Sequence, residues 1–124
     1  MRNDELAKAL FEAFGKGDAE SVRRLCAPNF EARQNNGPVM TLEPLLEFAL
    51  AVYQVVEGFR YEDAVRSETG SGFVEEHNVR GTLPDGSELD LAVCVVADVR
   101  EGKVSNVREY FDSASAAGLI AVLS

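Results

Sequence analysis

Residues 88–112 read ELDLAVCVVADVREGKVSNVREYFD, and this stretch decides the fold. Apolar and polar residues alternate along it, which predicts two strands, over 88–100 and 103–111. The strands are separated only by the turn Arg100-Glu101-Gly102. Because so short a turn joins antiparallel neighbours, the two strands form a hairpin.

Two further strands precede this hairpin. They are predicted over 59–68 and 73–82, where the spacing of apolar residues is again close to two. The links Gly70-Ser71-Gly72 and Pro84-Asp85-Gly86 are short turns that contain glycine, as antiparallel hairpins require. The second half of the chain is therefore predicted to be a four-stranded antiparallel meander.

The first half has the longer apolar period of helices. The predicted elements outside the meander are helices capped by Asn3, Asp18, Thr41 and Asp112, of which the third ends at Gly58, and a strand over 29–34. Helices grouped before an antiparallel meander are typical of an α+β fold with the helices on one face of a single sheet. We expect a strongly curved sheet with the helices in its concave face, around a pocket for a small ligand.

Composition excludes several classes of function. The 124 residues suit one domain, and a net charge of −9 argues against binding to nucleic acid or to an anionic membrane surface. No apolar run is long enough to span a bilayer and the start lacks a signal-peptide pattern, so we expect a cytoplasmic protein. Cys26 and Cys94 lie in apolar surroundings and are predicted to be buried free thiols. With one histidine and no Cys-x-x-Cys, we expect no metal site.

Two stretches carry a resemblance to a known superfamily. Residues 11–19 read FEAFGKGDA, and Glu101-Gly102-Lys103-Val104 leads into Arg108-Glu109-Tyr110-Phe111-Asp112. In this order and spacing they resemble the first helix and the last hairpin of the nuclear-transport-factor-2-like superfamily, which includes ketosteroid isomerase, SnoaL-like polyketide cyclases and limonene epoxide hydrolase. The resemblance implies one SnoaL-like domain over 1–124, a cone-shaped fold with a curved antiparallel (mixed) sheet around a pocket.

The catalytic pattern of the epoxide hydrolase branch can be placed on this sequence. Its Arg-x-Asp on a middle strand falls on Glu76 and Asn78, and its second Asp falls on Glu109. Its Tyr-Gln-Asn resembles Arg33-Gln34-Asn35. Since the arginine, one aspartate and the tyrosine are replaced, we do not expect epoxide hydrolysis by that mechanism. Ketosteroid isomerase chemistry is not expected either, because its general base falls near Gln34, which cannot accept a proton.

The resemblance also implies which strand residues face the pocket. The predicted lining is Glu76, Asn78, Arg80, Leu91, Val93, Glu109 and Phe111, with Glu75, His77 and Val79 on the outer face. Glu109 is the predicted general acid or base, because apolar surroundings disfavour its charged form. Alternatively, Glu109 is a solvated strand residue or an ion-pair partner of Arg108 or Arg33.

The remaining site residues have supporting roles. Asn78 acts with Glu109, while Asn35 and Arg33 position polar groups of the ligand. Arg33 and Glu76 form an ion pair across the pocket or are two unrelated surface charges. The hydroxyl of Tyr53 reaches the cavity, or its ring belongs to the core. A strand slip of one residue, or a bulge, would bring His77 into the pocket.

Two functional hypotheses follow. The first is an enzyme that binds a small hydrophobic or amphipathic molecule in a closed pocket and performs acid–base isomerisation, hydration or cyclisation without a bound cofactor. The second is a binding or dimerisation module that has lost the family's catalytic residues and fills the pocket with its own side chains, such as Phe111 and Tyr53. The resemblance and outward apolar residues such as Val79 and Cys94 also imply a homodimer through the outer face of the sheet.

Overall fold

Four helices and a six-stranded sheet make up the computed structural model, which covers residues 1–124. The elements are α1 (Asn3–Gly15), α2 (Ala19–Leu25), β1 (Cys26–Gln34), β2 (Met40–Thr41), α3 (Leu42–Val55), β3 (Glu57–Glu68), β4 (Gly72–Thr82), β5 (Glu88–Arg100), β6 (Lys103–Phe111) and α4 (Ser113–Leu123). This order confirms the predicted α+β fold.

The sheet has the strand order β2-β1-β6-β5-β4-β3. Strands β3 to β6 form the predicted antiparallel meander, while β1 runs parallel to β6 and makes the sheet mixed. A parallel pair cannot be joined by a short turn, and here the long connection between β1 and β6 carries α3 and the rest of the meander. The result is the curved, cone-shaped arrangement typical of nuclear-transport-factor-2-like proteins.

Two helices begin at the predicted capping residues with side-chain hydrogen bonds. The Asp18 carboxylate accepts from the backbone N–H of Ser21 at the start of α2, and the Asp112 carboxylate accepts from Ala114 at the start of α4. Asn3 is not a cap: it is the first residue of α1, and its side-chain amide donates instead to the carbonyl of Gly72.

Some element boundaries differ from those predicted. Strand β1 begins at Cys26, immediately after α2, because the N–H of Cys26 closes the last helical turn while its backbone is already extended. The two-residue strand β2, which pairs with Glu31 and Ala32, was not predicted. Helix α3 ends at Val55, before Gly58.

The core lies between the helices and one face of the sheet. Odd-numbered residues of β4 and β5 point into it, among them Phe73, Val79, Leu91 and Val95, all nearly fully buried. Leu10 of α1 packs against them from the helical layer. No helix is both long and apolar enough to cross a bilayer.

Candidate active site

A cavity of about 200 Å³ lies between the helices and the sheet. Of its 25 lining residues 21 are hydrophobic, and six of the chain's seven phenylalanines are among them. The polar exceptions are Arg33, Gln34, His77 and Glu109. Phe48 and Ile120 line the cavity and are also exposed, so its opening lies between α3 and α4. An apolar chamber with a few polar groups is the usual form of a small-molecule site.

Glu75 and His77 form a buried polar pair on β4. The two side chains are almost completely buried, and Oε2 of Glu75 lies 2.7 Å from Nδ1 of His77. The other carboxylate oxygen, Oε1, accepts a hydrogen bond of 2.7 Å from Nε of Arg66 on β3. Because an ionised carboxylate only accepts, the imidazole must donate through Nδ1, which leaves Nε2 as its second functional nitrogen.

Nε2 of His77 is open to the cavity. It has no hydrogen-bond partner within the protein. Because every fully buried side-chain nitrogen and oxygen atom has such a partner, Nε2 is not fully buried. Since His77 lines the cavity, a ligand can reach this nitrogen. The ring is held in place by Phe11 and Tyr61, whose centroids lie 4.8 Å and 4.5 Å from its own. The imidazole is therefore fixed in orientation and has a free nitrogen, as a general base requires.

Glu109 on β6 supplies a second ionisable group. It lines the cavity, and one of its oxygens lies 3.4 Å from Nε2 of Gln34. Burial raises the pKa of Glu109. The nearby His77 and the hydrogen bond from Gln34 lower this pKa, but by less than burial raises it. Desolvation thus favours the protonated carboxyl, which can donate a hydrogen bond or a proton.

Tyr61 on β3 also lines the chamber, and its phenol hydroxyl is a further polar group. Burial first, and then the charges of Glu109 and Glu75, raise the pKa of its phenol. The hydroxyl therefore stays protonated and can donate to a ligand oxygen. Its ring packs edge-on against Phe11 and Phe59, with centroids 5.5 Å and 5.2 Å away.

The predicted strand register is wrong by one residue in β4. Glu76, Asn78 and Arg80 lie on the outer face, and Glu75, His77 and Val79 face the interior. The physical reason is the turn between β4 and β5. Thr82 pairs with Glu88, so five residues, 83–87, form the loop. Because the loop has an odd number of residues, each odd-numbered residue of β4 pairs with an odd-numbered residue of β5, and both lie on the same face. His77 therefore lies opposite Val93, and Val79 lies opposite Leu91.

The outward residues have partners of their own. Asn78 donates to the carboxylate of Asp63 at 3.0 Å, and Arg80 makes ion pairs with Asp63, Glu62 and Asp90. Of the two alternatives for Arg33 and Glu76, the ion pair does not form, since neither residue takes part in any salt bridge. Arg33 borders the cavity, but it is exposed and shares the outer-face row of Arg108.

The other predicted residues divide between wall and periphery. Leu91, Val93 and Phe111 line the cavity beside Glu109. Tyr53 does not, because it lies at the surface with its ring 6.1 Å from that of Phe59.

Asn35 lies outside the wall and secures the end of β6. Its side chain accepts from the N–H of Phe111 at 3.0 Å and donates to the Ser113 hydroxyl at 3.3 Å. It therefore joins the first strand to the start of α4, and its predicted contact with the ligand is not supported by this position.

The sequence analysis placed Glu75 and His77 on the outer face, with His77 reaching the pocket only through a strand slip or bulge, and it did not single out Tyr61. A signal for the first two was present in β4. The odd-numbered positions from Phe73 to Leu83 include the large apolar side chains Phe73, Val79 and Leu83, whereas the even-numbered positions between them are mostly polar. Strand alternation therefore places Glu75 and His77 on the apolar, inward face. No group of three or more histidine, cysteine, aspartate or glutamate side chains is arranged to hold a metal ion.

Solved structures share this architecture over nearly the whole chain. A candidate polyketide cyclase from Xanthomonas campestris pv. campestris has a TM-score of 0.82 at 22% identity, covering 98% of this chain and 96% of that one. TerC, co-crystallised with polyporic acid, has a TM-score of 0.80 at 22% identity, covering 96% and 98%. An LEH-like epoxide hydrolase from M. tuberculosis has a TM-score of 0.76 at 16% identity, covering 98% and 94%. At these identities the likeness establishes the fold alone.

Sequence comparison gives the family. None of the curated proteins compared with the chain matches it. The family model of the SnoaL-like domain matches residues 7–117, which include all six strands and the polar groups of the cavity. The chain therefore belongs to the SnoaL-like domain family, with the nuclear-transport-factor-2-like, ketosteroid-isomerase-like fold.

Proposed function

We propose that this protein is an acid–base enzyme of the isomerase, hydratase or cyclase type, acting on a neutral hydrophobic or amphipathic molecule with a carbonyl or enol oxygen. The observation that carries the proposal is the buried Glu75–His77 pair, whose free imidazole nitrogen opens into an apolar cavity. A carboxylate behind a histidine is a recurrent arrangement for general-base catalysis. The reaction needs only the chain's own side chains.

Proton transfer next to a carbonyl group is the chemistry that these residues suit best. Nε2 of His77 takes a proton from the carbon beside the carbonyl, and negative charge moves to the carbonyl oxygen. The hydroxyl of Tyr61 and the protonated carboxyl of Glu109 are neutral donors that stabilise this oxygen in a water-poor chamber. Return of the proton at another carbon completes an isomerisation. Proton donation by Glu109 to a leaving hydroxyl completes a dehydration.

The cavity limits the size and charge of the substrate. An apolar cavity of about 150 Å³ holds one benzene ring. A cavity of about 200 Å³ therefore accommodates one or two rings, and longer substituents would extend through the opening. The lining contains no lysine, and its one arginine, Arg33, lies in an outer row of the sheet. A buried carboxylate or phosphate of a ligand would have no cation to pair with, so we expect neutral ligands.

The cavity itself argues against a module with a filled pocket. That hypothesis requires Phe111 and Tyr53 to occupy the space. Phe111 instead forms part of the wall, and Tyr53 lies outside. The printed description of TerC, co-crystallised with polyporic acid, is consistent with a ligand chamber in this fold.

Hydrogen–deuterium exchange tests the proposed first step without knowledge of the product. The purified protein is incubated in D₂O with a panel of neutral one- and two-ring ketones and enones, and loss of the α-proton signal is followed by NMR. We expect exchange well above the buffer rate for at least one compound that also raises Tm. His77→Asn keeps an amide N–H for Glu75 and removes the free nitrogen, so it should lower the rate by about 10²- to 10⁴-fold.

The control is Asp90→Asn, which introduces the same side chain on the outer face and should retain the wild-type rate. Ligands that raise Tm but show no exchange would reduce the proposal to ligand binding alone. Exchange at the wild-type rate in His77→Asn would assign the base elsewhere.

We also propose that the protein forms a homodimer through the outer face of the sheet. One row across this face runs from Val65 to Tyr110, which are 62% and 40% exposed, with Glu76 and Cys94 between them. Val79, which was predicted to contribute, points inward instead. Exposed apolar side chains on one face of a sheet favour burial against a second copy. Sedimentation at micromolar concentration should give twice the chain mass of 13.5 kDa, and a monomer would exclude this assembly.

A further inference from the structure

Strand β3 changes its inward face halfway along its length. Tyr61 pairs with Val79 and faces the cavity, but after Glu62 the register with β4 shifts by one residue. Residues 63 and 64 together stand opposite His77, which makes a β-bulge, and Asp63 has a left-handed backbone with φ of 58°.

The extra residue decides which side chain meets Glu75. In the register of Tyr61, Val65 would lie opposite Glu75 and Arg66 would point to solvent. With the bulge, Arg66 is the inward residue opposite Glu75, and Val65 lies on the outer face with 62% of its surface exposed. The left-handed backbone of Asp63 is uncommon outside glycine, so the bulge is a specific feature of this strand.

The bulge is anchored by two residues of β4. The Asp63 carboxylate accepts hydrogen bonds from Asn78 at 3.0 Å and from Arg80 at 2.8 Å. These outward residues therefore hold the segment whose shape turns Arg66 inward.

Arg66 supplies the cation that Glu75 needs. The carboxylate is fully buried, and a buried charge without a partner is strongly destabilising. Nε of Arg66 donates to Oε1 at 2.7 Å while Oε2 faces His77, so both oxygens are occupied. Arg66 does not line the cavity and acts only through Glu75.

We propose that Arg66 is a positioning residue: the bulge at Asp63 directs it to Glu75, and the resulting ion pair keeps the imidazole of His77 protonated at Nδ1 with Nε2 facing the cavity. The catalytic part of this inference rests on the proposed function, whereas its structural part does not. Without Arg66, Glu75 gains by binding a proton, and the protonated carboxyl can donate to Nδ1, which moves the imidazole proton to Nε2. The base of the cavity would then become a donor.

The chain has a single histidine, so ¹⁵N NMR of the labelled protein reports the tautomer of His77 without assignment. At a pH where the imidazole is neutral, the wild type should show the Nδ1-protonated tautomer. Arg66→Met should shift it toward the Nε2-protonated form, and Arg66→Lys, which keeps the cation, should restore the wild-type spectrum. Arg60→Met is the matched control, because Arg60 lies on the same strand but pairs with exposed Glu62.

Where a substrate from the exchange panel is found, Arg66→Met should lower kcat by about 10- to 100-fold with a smaller change in KM, and Arg66→Lys should recover most of the rate. Arg66→Gln, which keeps a donor, replaces Arg66→Met if the latter does not fold. The inference would be overturned if the wild-type imidazole were protonated at Nε2, or if Arg66→Met or Arg66→Gln kept the wild-type tautomer. A tautomer shift without any exchanging substrate would support the positioning role and count against the proposed reaction.

Discussion

Glu75→Gln is the substitution that most directly tests the buried pair on β4. It changes one oxygen to an amide nitrogen at a fully buried position and leaves the shape of the side chain unchanged. The new amide can accept from only one of the two donors. We expect its oxygen to stay with Nε of Arg66, which always carries a proton, and its N–H₂ to face His77. Nδ1 must then accept, so the imidazole proton moves to Nε2.

The loss of stability follows from the two hydrogen bonds. Each is 2.7 Å long and charge-assisted in the wild type. In the variant the bond from Arg66 keeps its charged donor, whereas the bond with His77 joins two neutral groups. Bonds to a charged group contribute about 1.5–3 kcal/mol and neutral ones about 0.5–1.5, so the His77 bond loses about 1–1.5 kcal/mol. Unfolding entropy is about 2.1 cal/mol/K per residue, or about 0.26 kcal/mol/K for this chain, which converts the loss to a fall in Tm of about 4–6 °C.

Thermal unfolding by circular dichroism measures the fall in Tm, ¹⁵N NMR measures the tautomer, and α-proton exchange measures the activity. The exchange rate should fall by about 10²- to 10⁴-fold, since the cavity loses its proton acceptor. Glu88→Gln, the same change at an exposed position of β5, should leave Tm within about 2 °C of the wild type. A Glu75→Gln protein with unchanged Tm and an Nδ1-protonated imidazole would refute the reasoning, because the carboxylate would then have no role in holding the ring.

Three further predictions concern other parts of the molecule. The pKa of Glu109 is raised above its ordinary value of 4.5, so its contribution to stability is full below pH 4.5 and is lost as the pH rises through the folded-state pKa. Glu109→Gln removes this loss, so the Tm difference between variant and wild type should grow with pH above 4.5, and a constant difference would contradict the shift. Burial raises the pKa of the Cys26 thiol to about 12, so mass spectrometry should find it unmodified by iodoacetamide at pH 8 in the folded protein and modified after denaturation. Asp18→Ala removes the cap that binds Ser21 and should lower Tm by a few degrees, and an unchanged Tm would mean that solvent replaces the cap.

The element order was predictable because it depends on local signals. Asp18 and Asp112 cap helices through contacts within three residues, and the turn over 100–102 closes a hairpin between adjacent strands. The parallel pairing of β1 with β6 joins segments more than 70 residues apart, and only the resemblance implied a mixed sheet. The strand β2 is two residues long, too short to give a period.

Site residues depended instead on register, where an error of one residue reverses a whole strand. The resemblance placed Asn78 in the pocket and His77 outside, whereas the loop over 83–87 has an odd number of residues and does the reverse. Residues of β3 could not be assigned by alternation at all. The bulge at Asp63 gives Tyr61 and Arg66 the same inward face although their numbers differ in parity. Nothing in the local sequence marks the extra residue, since Asp63 is held by contacts with β4.

The two inward carboxyl groups of the sheet explain how one chamber can contain both a base and an acid. Glu75 and Glu109 lie in one row of the sheet, each paired with Val95 on the strand between them, so their backbones are about 10 Å apart. Glu75 has Arg66 and His77 as partners, and its charge is used to orient the imidazole. Glu109 has only the amide of Gln34, so burial favours its protonated form. Desolvation therefore leads to opposite roles for the two groups, because only Glu75 has an arginine beside it. A substrate in the cavity would meet His77 as the proton acceptor and Glu109 as the donor.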